Sequence, residues 1–356
     1  MKRKYKISVL YLAKWIGLFH VSKYLTRKGL RILCYHNYSH GEEVDWAPLL
    51  FIKPETFNKR MEFLKKNQFP ILKLKVSLDL LYKEEIPASS VVITIDDGWE
   101  GIKKYAHKIL KKNAFPYTIY VTSYYSLKES PIFNLIIPYM IWKAYNNGFN
   151  FEKLKLPKDI SIPNIFDYDK LASKIIEYGY TKLSNEERYL FAKDIGKQTG
   201  ISYGEIDKNG VFSLLTTSGI NDLFHEGVDI QLHSHRHQWP MSEKAAINEI
   251  EKNREYLESI TGVCLEHFCY PSGIWKQEQF PYLYSQGIKS ATTCDSGFNY
   301  SNTNRFRLHR FLDSQDISQI EFEAEINGFL EIMRKSRKIY FVWKGARKPQ
   351  FNDDLQ

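Results

Sequence analysis

The chain has 356 residues, of which 43% are hydrophobic and 26% are charged, so its length allows one large α/β domain or two smaller ones. Its formal net charge is +9, but the basic residues fall in short clusters that are typical of solvated helix faces. No nucleic-acid motif accompanies these clusters, and we therefore expect no nucleic-acid partner.

The first 28 residues form a basic and apolar segment. "MKRKYKISVLYLAKWIGLFHV" begins with basic residues and continues as an apolar stretch that Lys14 interrupts, with no small-residue cleavage site after it. The stretch is too short and too charged to span a membrane. Two interpretations stay open, an amphipathic helix lying on the inner leaflet and a helix packed on the domain.

From residue 29 onwards, strand-like and helix-like runs alternate. Apolar runs predict strands at "LRILCYH", "SVVITI", "FPYTIYVTS", "VDIQL", "HFCY" and "IKSATTC", and helical periodicity joins several of them, as in "KPETFNKRMEFLKKN". This succession predicts a parallel sheet, open or closed into a barrel, with the site at the carboxyl ends of the strands. Residues 126–216 break the rhythm and are predicted to be an insertion on the barrel.

Two adjacent carboxylates end the strand "VVITI". Asp96 and Asp97 precede Gly98, which allows a sharp turn. Neighbouring side chains on an extended chain point in opposite directions, so one carboxylate could bind a metal while the other faces a substrate water. The alternative is an ordinary Asp-Asp-Gly turn that caps a helix.

Three histidines at every second position follow the strand "VDIQL". His233, His235 and His237 lie in "LHSHRH", and neutral imidazole is a good ligand for zinc. Two histidines and one carboxylate, with coordination positions left for water, form a recurring catalytic arrangement. The spacing therefore favours a metal site over an incidental polar turn.

Two weaker motifs lie further along the chain. In "FCYPSGIW", a turn after a strand could offer backbone N–H groups to an oxyanion. "RFRLHRF" contains the pair His309 and Arg310 near the end of the domain. Each of these motifs, taken alone, is equally consistent with an ordinary turn or surface pair.

In this order, the motifs resemble those of the NodB-type polysaccharide deacetylases, the family-four carbohydrate esterases. "TIDDG" is similar to their T-F-D-D-G motif with Ile95 in place of Phe, and "HSHRH" is similar to H-[ST]-x-x-H. "FCYPSG" and "RILCYH" resemble the polysaccharide-biosynthesis-cluster branch of the family. The resemblance covers roughly residues 29–315 apart from the insertion, and we expect a catalytic domain over 29–345 after an amphipathic segment over 1–28.

The resemblance implies a distorted (β/α) barrel of about seven units and a deacetylase that removes an N-acyl group, most commonly acetyl, from an amino sugar. It implies a divalent metal, expected to be Zn²⁺, held by Asp97, His233 and His237. Asp96 is then the general base, and His309 is the candidate general acid. The turn formed by Tyr270, Pro271, Ser272 and Gly273 is expected to face substrate, with the Ser272 N–H stabilising the oxyanion. His235 is expected to face solvent or to support a ligand.

The sequence also departs from the family pattern. The fuller third motif carries an arginine that tunes the charge of the base aspartate, whereas Glu266 and Cys269 stand near the corresponding positions here. That charge network is therefore predicted to be absent or rebuilt from other residues.

Two other functions stay open on the sequence. One is a metal-dependent phosphoesterase or amidohydrolase of the H-x-H type, which would need further His and Asp ligands. The other is a non-catalytic glycan-binding relative. For the deacetylase, the basic start and the branch resemblance predict a cytoplasmic enzyme with peripheral contact to an anionic inner membrane, acting on a nucleotide- or lipid-linked glycan.

Overall fold

The computed structural model describes residues 3–128, 131–162 and 167–343, with the side chains of the last helix described up to Arg337. The strands are β1 (Arg31–Tyr35), β2 (Asn37–Tyr38), β3 (Phe51–Ile52), β4 (Val91–Ile95), β5 (Thr118–Val121), β6 (Asp229–Leu232), β7 (His267–Cys269), β8 (Ser290–Thr292) and β9 (Phe311–Leu312).

Helices surround these strands. They are α1 (Arg3–Trp15), α2 (Leu18–Leu25), α3 (Glu43–Trp46), α4 (Pro54–Lys66), α5 (Leu74–Tyr82), α6 (His107–Lys112), α7 (Ser123–Lys128), α8 (Phe133–Asn146), α9 (Tyr168–Lys182), α10 (Asn185–Thr199), α11 (Tyr203–Asn209), α12 (Thr217–His225), α13 (Glu243–Thr261), α14 (Phe280–Ser285), α15 (Gln319–Ile326) and α16 (Phe329–Trp343). A π-helical turn, Ile102–Ala106, leads directly into α6, and 3₁₀ turns cover Phe151–Lys153, Pro271–Gly273 and Gln277–Gln279.

Seven strands form one parallel sheet in the order β8-β7-β6-β5-β4-β1-β9. A parallel bridge between Thr292 and Leu308 joins β8 to the segment just before β9, so the two edges of the curled sheet are linked. Each of the predicted strands is present, and the predicted fold class, a distorted (β/α) barrel, is confirmed.

The sheet is buried on both faces, which explains why its strands read as continuous apolar runs. Every residue of β1 and β4 is buried, and the side chains of β4 alternate between two hydrophobic clusters. Ile93 and Ile95 pack in the main core with α4 and α13, and Val92 packs in a second core with α5. The sheet thereby becomes a rigid base for the loops at its carboxyl edge.

The predicted insertion contains α8, α9, α10 and α11, which lie between β5 and β6. They share a hydrophobic core of their own, in which Ile137, Met140, Leu171 and Ile195 are fully buried. At the start of α10, Ser184 and Glu187 form a capping box that satisfies two free backbone N–H groups. The boundaries 126–216 remain a prediction.

The N-terminal helices pack on the domain. Leu10 and Ala13 of α1 and Phe19 of α2 are buried against Ile320 and Ala324 of α15. Among the described residues, no helix combines the length and apolar character needed to cross a membrane.

Candidate active site and metal centre

The predicted motifs meet at the carboxyl edge of the sheet because β1, β4, β6 and β7 are parallel strands of one curled sheet, in which only β5 separates β4 from β6. Asp96 and Asp97 follow β4 directly, and His233 follows β6. The loop after β6 is tied to α13: the backbone N–H of His233 donates to Asn253 Oδ1, and that of Arg236 donates to Glu249 Oε2. These bonds hold the histidine loop against the rest of the barrel.

Asp97, His233 and His237 form a compact cluster. Asp97 Oδ1 lies 3.2 Å from His233 Nε2 and 3.3 Å from His237 Nε2. Burial by itself would raise the pKa of Asp97, but the hydrogen bond from His233 and the charges of both histidines outweigh it and hold that pKa well below its ordinary value. One carboxylate oxygen thus faces two imidazole nitrogens at nearly equal distances.

This geometry fits a tetrahedral metal ion. Zinc bonds of about 2.0–2.2 Å to nitrogen and oxygen place neighbouring ligand atoms about 3.3 Å apart, as these are. The ring N–H of His233 at Nδ1 donates to the Cys269 carbonyl at 2.8 Å, which leaves the Nε2 lone pair free for a metal. The Trp99 indole N–H donates to Asp97 Oδ2 at 2.8 Å and so orients the other oxygen towards the histidines.

Left-handed backbone conformations recur in the cluster. Asp97 and His237 have φ of 69° and 55°, and Ser234, between the two histidines, has φ of 61°. Such conformations cost non-glycine residues of the order of 1–3 kcal/mol each and concentrate at functional sites. Hydrogen bonds support this arrangement: the Trp99 indole N–H donates to Asp97, and the Gln238 backbone N–H donates to Ser234 Oγ.

Asp96 forms a bidentate ion pair with Arg310, and a carboxylate oxygen of Asp96 lies within 4.8 Å of a ring nitrogen of His233. Arg310 Nη1 lies 2.7 Å from Asp96 Oδ1, Nη2 lies 2.8 Å from Oδ2, and Nε donates to the Thr293 carbonyl. Both side chains are almost completely buried. Burial raises the pKa of Asp96, but the charge and hydrogen bonds of Arg310 outweigh it, so the pKa is lowered and the carboxylate is ionised at neutral pH.

Arg310 takes the place of the arginine that the third motif lacks in this chain. The predicted network is rebuilt, with the arginine supplied by the segment before β9 instead of the segment around β7. In the sequence, Arg310 is visible only as part of a weak His-Arg pair with His309. Arg310 lies in the run "RFRLHRF", directly before β9. A strand of two residues shows no periodicity, so the sequence does not predict that β9 lies beside β1.

Two thiols complete the environment of Asp96. Cys34 and Cys269 lie 3.5 Å and 3.4 Å from Asp96 Oδ2. Burial raises the pKa of Cys34 well above its ordinary value, so its thiol stays protonated and donates to the carboxylate. Within the described chain, the groups able to hold a metal include Asp96 with His233 and Cys269, but the Arg310 guanidinium already occupies that position with its own positive charge.

The predicted oxyanion turn has a buried and an exposed part. Tyr270 and Pro271 are buried, and the Tyr270 hydroxyl donates to the Phe306 carbonyl, so their side chains support the turn from the core. Ser272 is exposed with φ of 55°, and its N–H remains the predicted oxyanion donor. At Gly273, a Cβ atom would lie 2.5 Å from Cys294 Cβ, so only glycine fits there.

The structure does not bring His309 to the metal cluster. Its neighbour Arg310 reaches Asp96, and successive side chains of an extended segment point in opposite directions. The ring of His309 lies beside Gly297, and the charges that act most on it come from Asp295, Arg307 and Glu331. The role of His309 as the general acid stays a prediction.

A different histidine lies at the site. His36 follows β1, remains one-fifth exposed, and places Nε2 at 3.9 Å from Asp96 Oδ2. The sequence motif "RILCYH" ends on this residue, which could have marked it as a candidate. His235, in contrast, turns away from the cluster: its Nδ1 lies 2.9 Å from the Ser123 hydroxyl, and its ring packs on Tyr124.

A small cleft of about 80 Å³ adjoins this region through Tyr124, whose backbone N–H donates to the His235 carbonyl. Its wall comes from α7 and the insertion and is lined mainly by aromatic and polar side chains, among them Tyr125, Tyr180, Arg188 and Tyr189.

Comparison with known proteins identifies a family that part of the chain resembles. A sequence model of the family described as polysaccharide deacetylase matches residues 193–291, which include both outer histidines and the turn after β7. The match covers 99 of the 356 residues, and over that stretch the chain is similar to the polysaccharide deacetylase family. A comparison with curated proteins found no relative. The predicted family resemblance and enzyme class are thereby confirmed, and the family match supports de-N-acetylation of a glycan.

Solved polysaccharide deacetylases share the fold. The chain is similar to the deacetylase PplD of Streptococcus pyogenes, with 15% identity, a TM-score of 0.57, and coverage of 85% of this chain and 99% of that one. IcaB of Ammonifex degensii has 16% identity and a TM-score of 0.53, with coverage of 84% and 97%. A polysaccharide deacetylase of Bacillus cereus has 16% identity and a TM-score of 0.51, with coverage of 84% and 69%.

Proposed function

We propose that the protein is a metal-dependent hydrolase that removes the N-acetyl group from an amino sugar of a polysaccharide or of a lipid- or nucleotide-linked glycan. The observation that carries this proposal is the different surroundings of two adjacent carboxylates. Asp97 faces two histidines, and Asp96 faces Arg310. A single turn thus presents a ligand carboxylate and an ionised base side by side.

Asp97, His233 and His237 would hold a divalent metal, for which we propose Zn²⁺ because nitrogen and carboxylate ligands at tetrahedral spacing suit it. When bound, such a metal supplies Lewis acidity, which polarises the amide carbonyl and makes water a stronger acid. The cluster provides three protein ligands and so leaves coordination positions for water and substrate. This is the pattern of catalytic rather than structural zinc sites.

The chain's own residues carry the proton transfers. Asp96 accepts the proton of the attacking water as its oxygen bonds to the acyl carbon. Among the described contacts, Oδ2 accepts from Arg310 and two thiols, whereas Oδ1 accepts from Arg310 alone, so Oδ1 has a lone pair to offer. The Ser272 N–H stabilises the negative charge that develops on the carbonyl oxygen.

Cleavage of the C–N bond requires a proton on the leaving amine, and we assign its delivery to His36 instead of His309. His36 is partly exposed beside Asp96, whereas the ring of His309 lies beside Gly297. We expect His36→Gln to lower kcat about 10²- to 10⁴-fold, the usual contribution of a general acid, without loss of bound metal. Steady-state kinetics and metal analysis measure both.

His309→Gln is the matched control and should leave kcat unchanged. A larger loss of kcat in His309→Gln than in His36→Gln would return the acid role to His309.

The proposed reaction is tested with Asp96→Asn. We expect the unchanged protein to release acetate from N-acetylated oligosaccharides and lipid-linked amino sugars. Mass spectrometry of the substrates measures the loss of the acetyl group. Asp96→Asn should retain the metal and lower kcat at least 10²-fold, because an amide cannot accept the proton. Full hydrolysis by Asp96→Asn would show that Asp96 is not the base, and absence of acetate release from all substrates would favour a glycan-binding role.

A further inference from the structure

Nearly all of the net charge of the chain lies in its first 28 residues. This segment contains eight Lys and Arg and no Asp or Glu, whereas the remaining 328 residues carry 42 basic and 41 acidic side chains. The catalytic domain is therefore close to neutral, and the positive charge is concentrated on one small region. Such an asymmetry indicates a local anionic partner instead of general solubility.

The charged side of α1 faces the domain. Lys6 pairs with Glu321 at 2.8 Å, and Lys14 pairs with Glu323 at 2.5 Å, beside the buried Leu10. These ion pairs set the rotation of the helix about its own axis. Both lysine side chains keep almost half of their surface exposed, so their charge is still felt outside the protein.

The opposite side of α1 is apolar and faces outward. Tyr5, Leu12 and Trp15 are spaced at i, i+7 and i+10 and therefore share one face of the helix. Their exposed fractions are 61%, 55% and 82%. α1 therefore has two apolar sides, one packed on the domain through Leu10 and Ala13 and one in water, whereas an ordinary surface helix has its apolar face packed and its polar face in water.

The next helix continues the pattern. In α2, Phe19 is buried, whereas Val21, Tyr24 and Leu25 are exposed by 53% or more. Of the twenty large hydrophobic side chains that are exposed in the described part of the chain, nine lie within residues 5–25. We call the outward side chains of α1 and α2 the N-terminal apolar surface.

We propose that the N-terminal apolar surface docks the protein on the surface of an anionic lipid bilayer. Tyr and Trp are the residues that favour the interface between water and lipid, and surrounding Lys and Arg are attracted to anionic headgroups by about 1 kcal/mol each. Lys4 and Lys28 are exposed within the same segment and add to this attraction. The helices lie on the bilayer, in keeping with their length. This inference stands whether or not the deacetylase assignment is correct.

Co-sedimentation of the full chain with vesicles tests the proposal. We expect binding to vesicles of phosphatidylcholine and phosphatidylglycerol in equal parts, and at least tenfold weaker binding to phosphatidylcholine alone. The double variant Leu12→Ser/Trp15→Ser should weaken binding to the anionic vesicles at least tenfold, and Lys4→Glu/Lys28→Glu should do the same. High salt should weaken binding of the unchanged protein because it screens the charges.

Tyr284→Ser is the matched control, since Tyr284 is 78% exposed but lies on α14, and it should bind as the unchanged protein does. Circular dichroism and thermal unfolding confirm that the N-terminal variants fold. Equal binding to both vesicle types, or no binding to either, overturns the proposal. So does a dimer in analytical ultracentrifugation that Leu12→Ser/Trp15→Ser dissociates while no vesicles are bound, because the surface would then be covered by a second copy.

Discussion

Replacing either outer histidine of "HSHRH" should remove the metal and the activity together. In His233→Ala or His237→Ala, one of the two nitrogens that face Asp97 Oδ1 is lost, and two remaining ligands are too few for a stable zinc site. We expect zinc bound per chain, measured by inductively coupled plasma mass spectrometry after dialysis, to fall from about one to nearly zero. Acetate release should fall to the background rate.

His235→Ala is the matched control for this experiment. Its ring contacts Ser123 and Tyr124 instead of the cluster, so the variant should keep its metal and most of its activity. Loss of zinc in His235→Ala, equal to that in the outer variants, would contradict the assignment. A stoichiometry of two or three metals per chain in the unchanged protein would favour the phosphoesterase or amidohydrolase alternative.

Removing Arg310 should destabilise the protein strongly. Arg310→Met leaves the Asp96 carboxylate buried without its bidentate partner, and breaking a buried ion pair on one side costs about 3–5 kcal/mol. The free energy of unfolding, measured with urea, should fall by that amount. Activity should fall as well, because the carboxylate loses both its orientation and the charge that lowers its pKa.

A double variant separates the ion pair from the packing of Arg310. In Asp96→Asn/Arg310→Met no buried charge is left uncompensated, so we expect it to recover a large part of the stability that Arg310→Met loses. A loss of less than 1 kcal/mol in Arg310→Met would show that Asp96 finds another partner. Equal stability of the single and double variants would assign the effect to lost packing.

The helices and strands could be predicted because the residues that determine each of them follow one another in the sequence. Pro54 at the start of α4 and Gly262 after α13 mark helix ends through backbone geometry that depends only on nearby residues. The strands were visible as apolar runs because parallel strands are covered on both faces. The α8–α11 region was harder, since its helices pack on each other and only the capping box of α10 gives a strong local signal.

For the N-terminal segment, the sequence did not determine which side of α1 packs on the domain. Its amphipathic pattern was consistent with packing on the domain and with lying on a membrane, and the structure shows that one side of α1 packs while the other stays apolar and exposed. Periodicity identifies an apolar stripe, but it does not say which of two stripes the domain covers. The acidic residues of α15, more than 300 positions away, decide that.

By itself, the sequence determined the fold class, the order of the motifs and the cluster of Asp97 with His233 and His237, because these residues follow parallel strands whose carboxyl ends lie at one edge of the sheet. Only the tertiary structure decided which charge neutralises Asp96 and which histidine stands beside it. The ion pair joins residues 214 positions apart, through a segment that lies next to β1 because β9 pairs with β1 at the edge of the sheet. Such a contact depends on the position of the whole barrel and leaves no trace in local spacing.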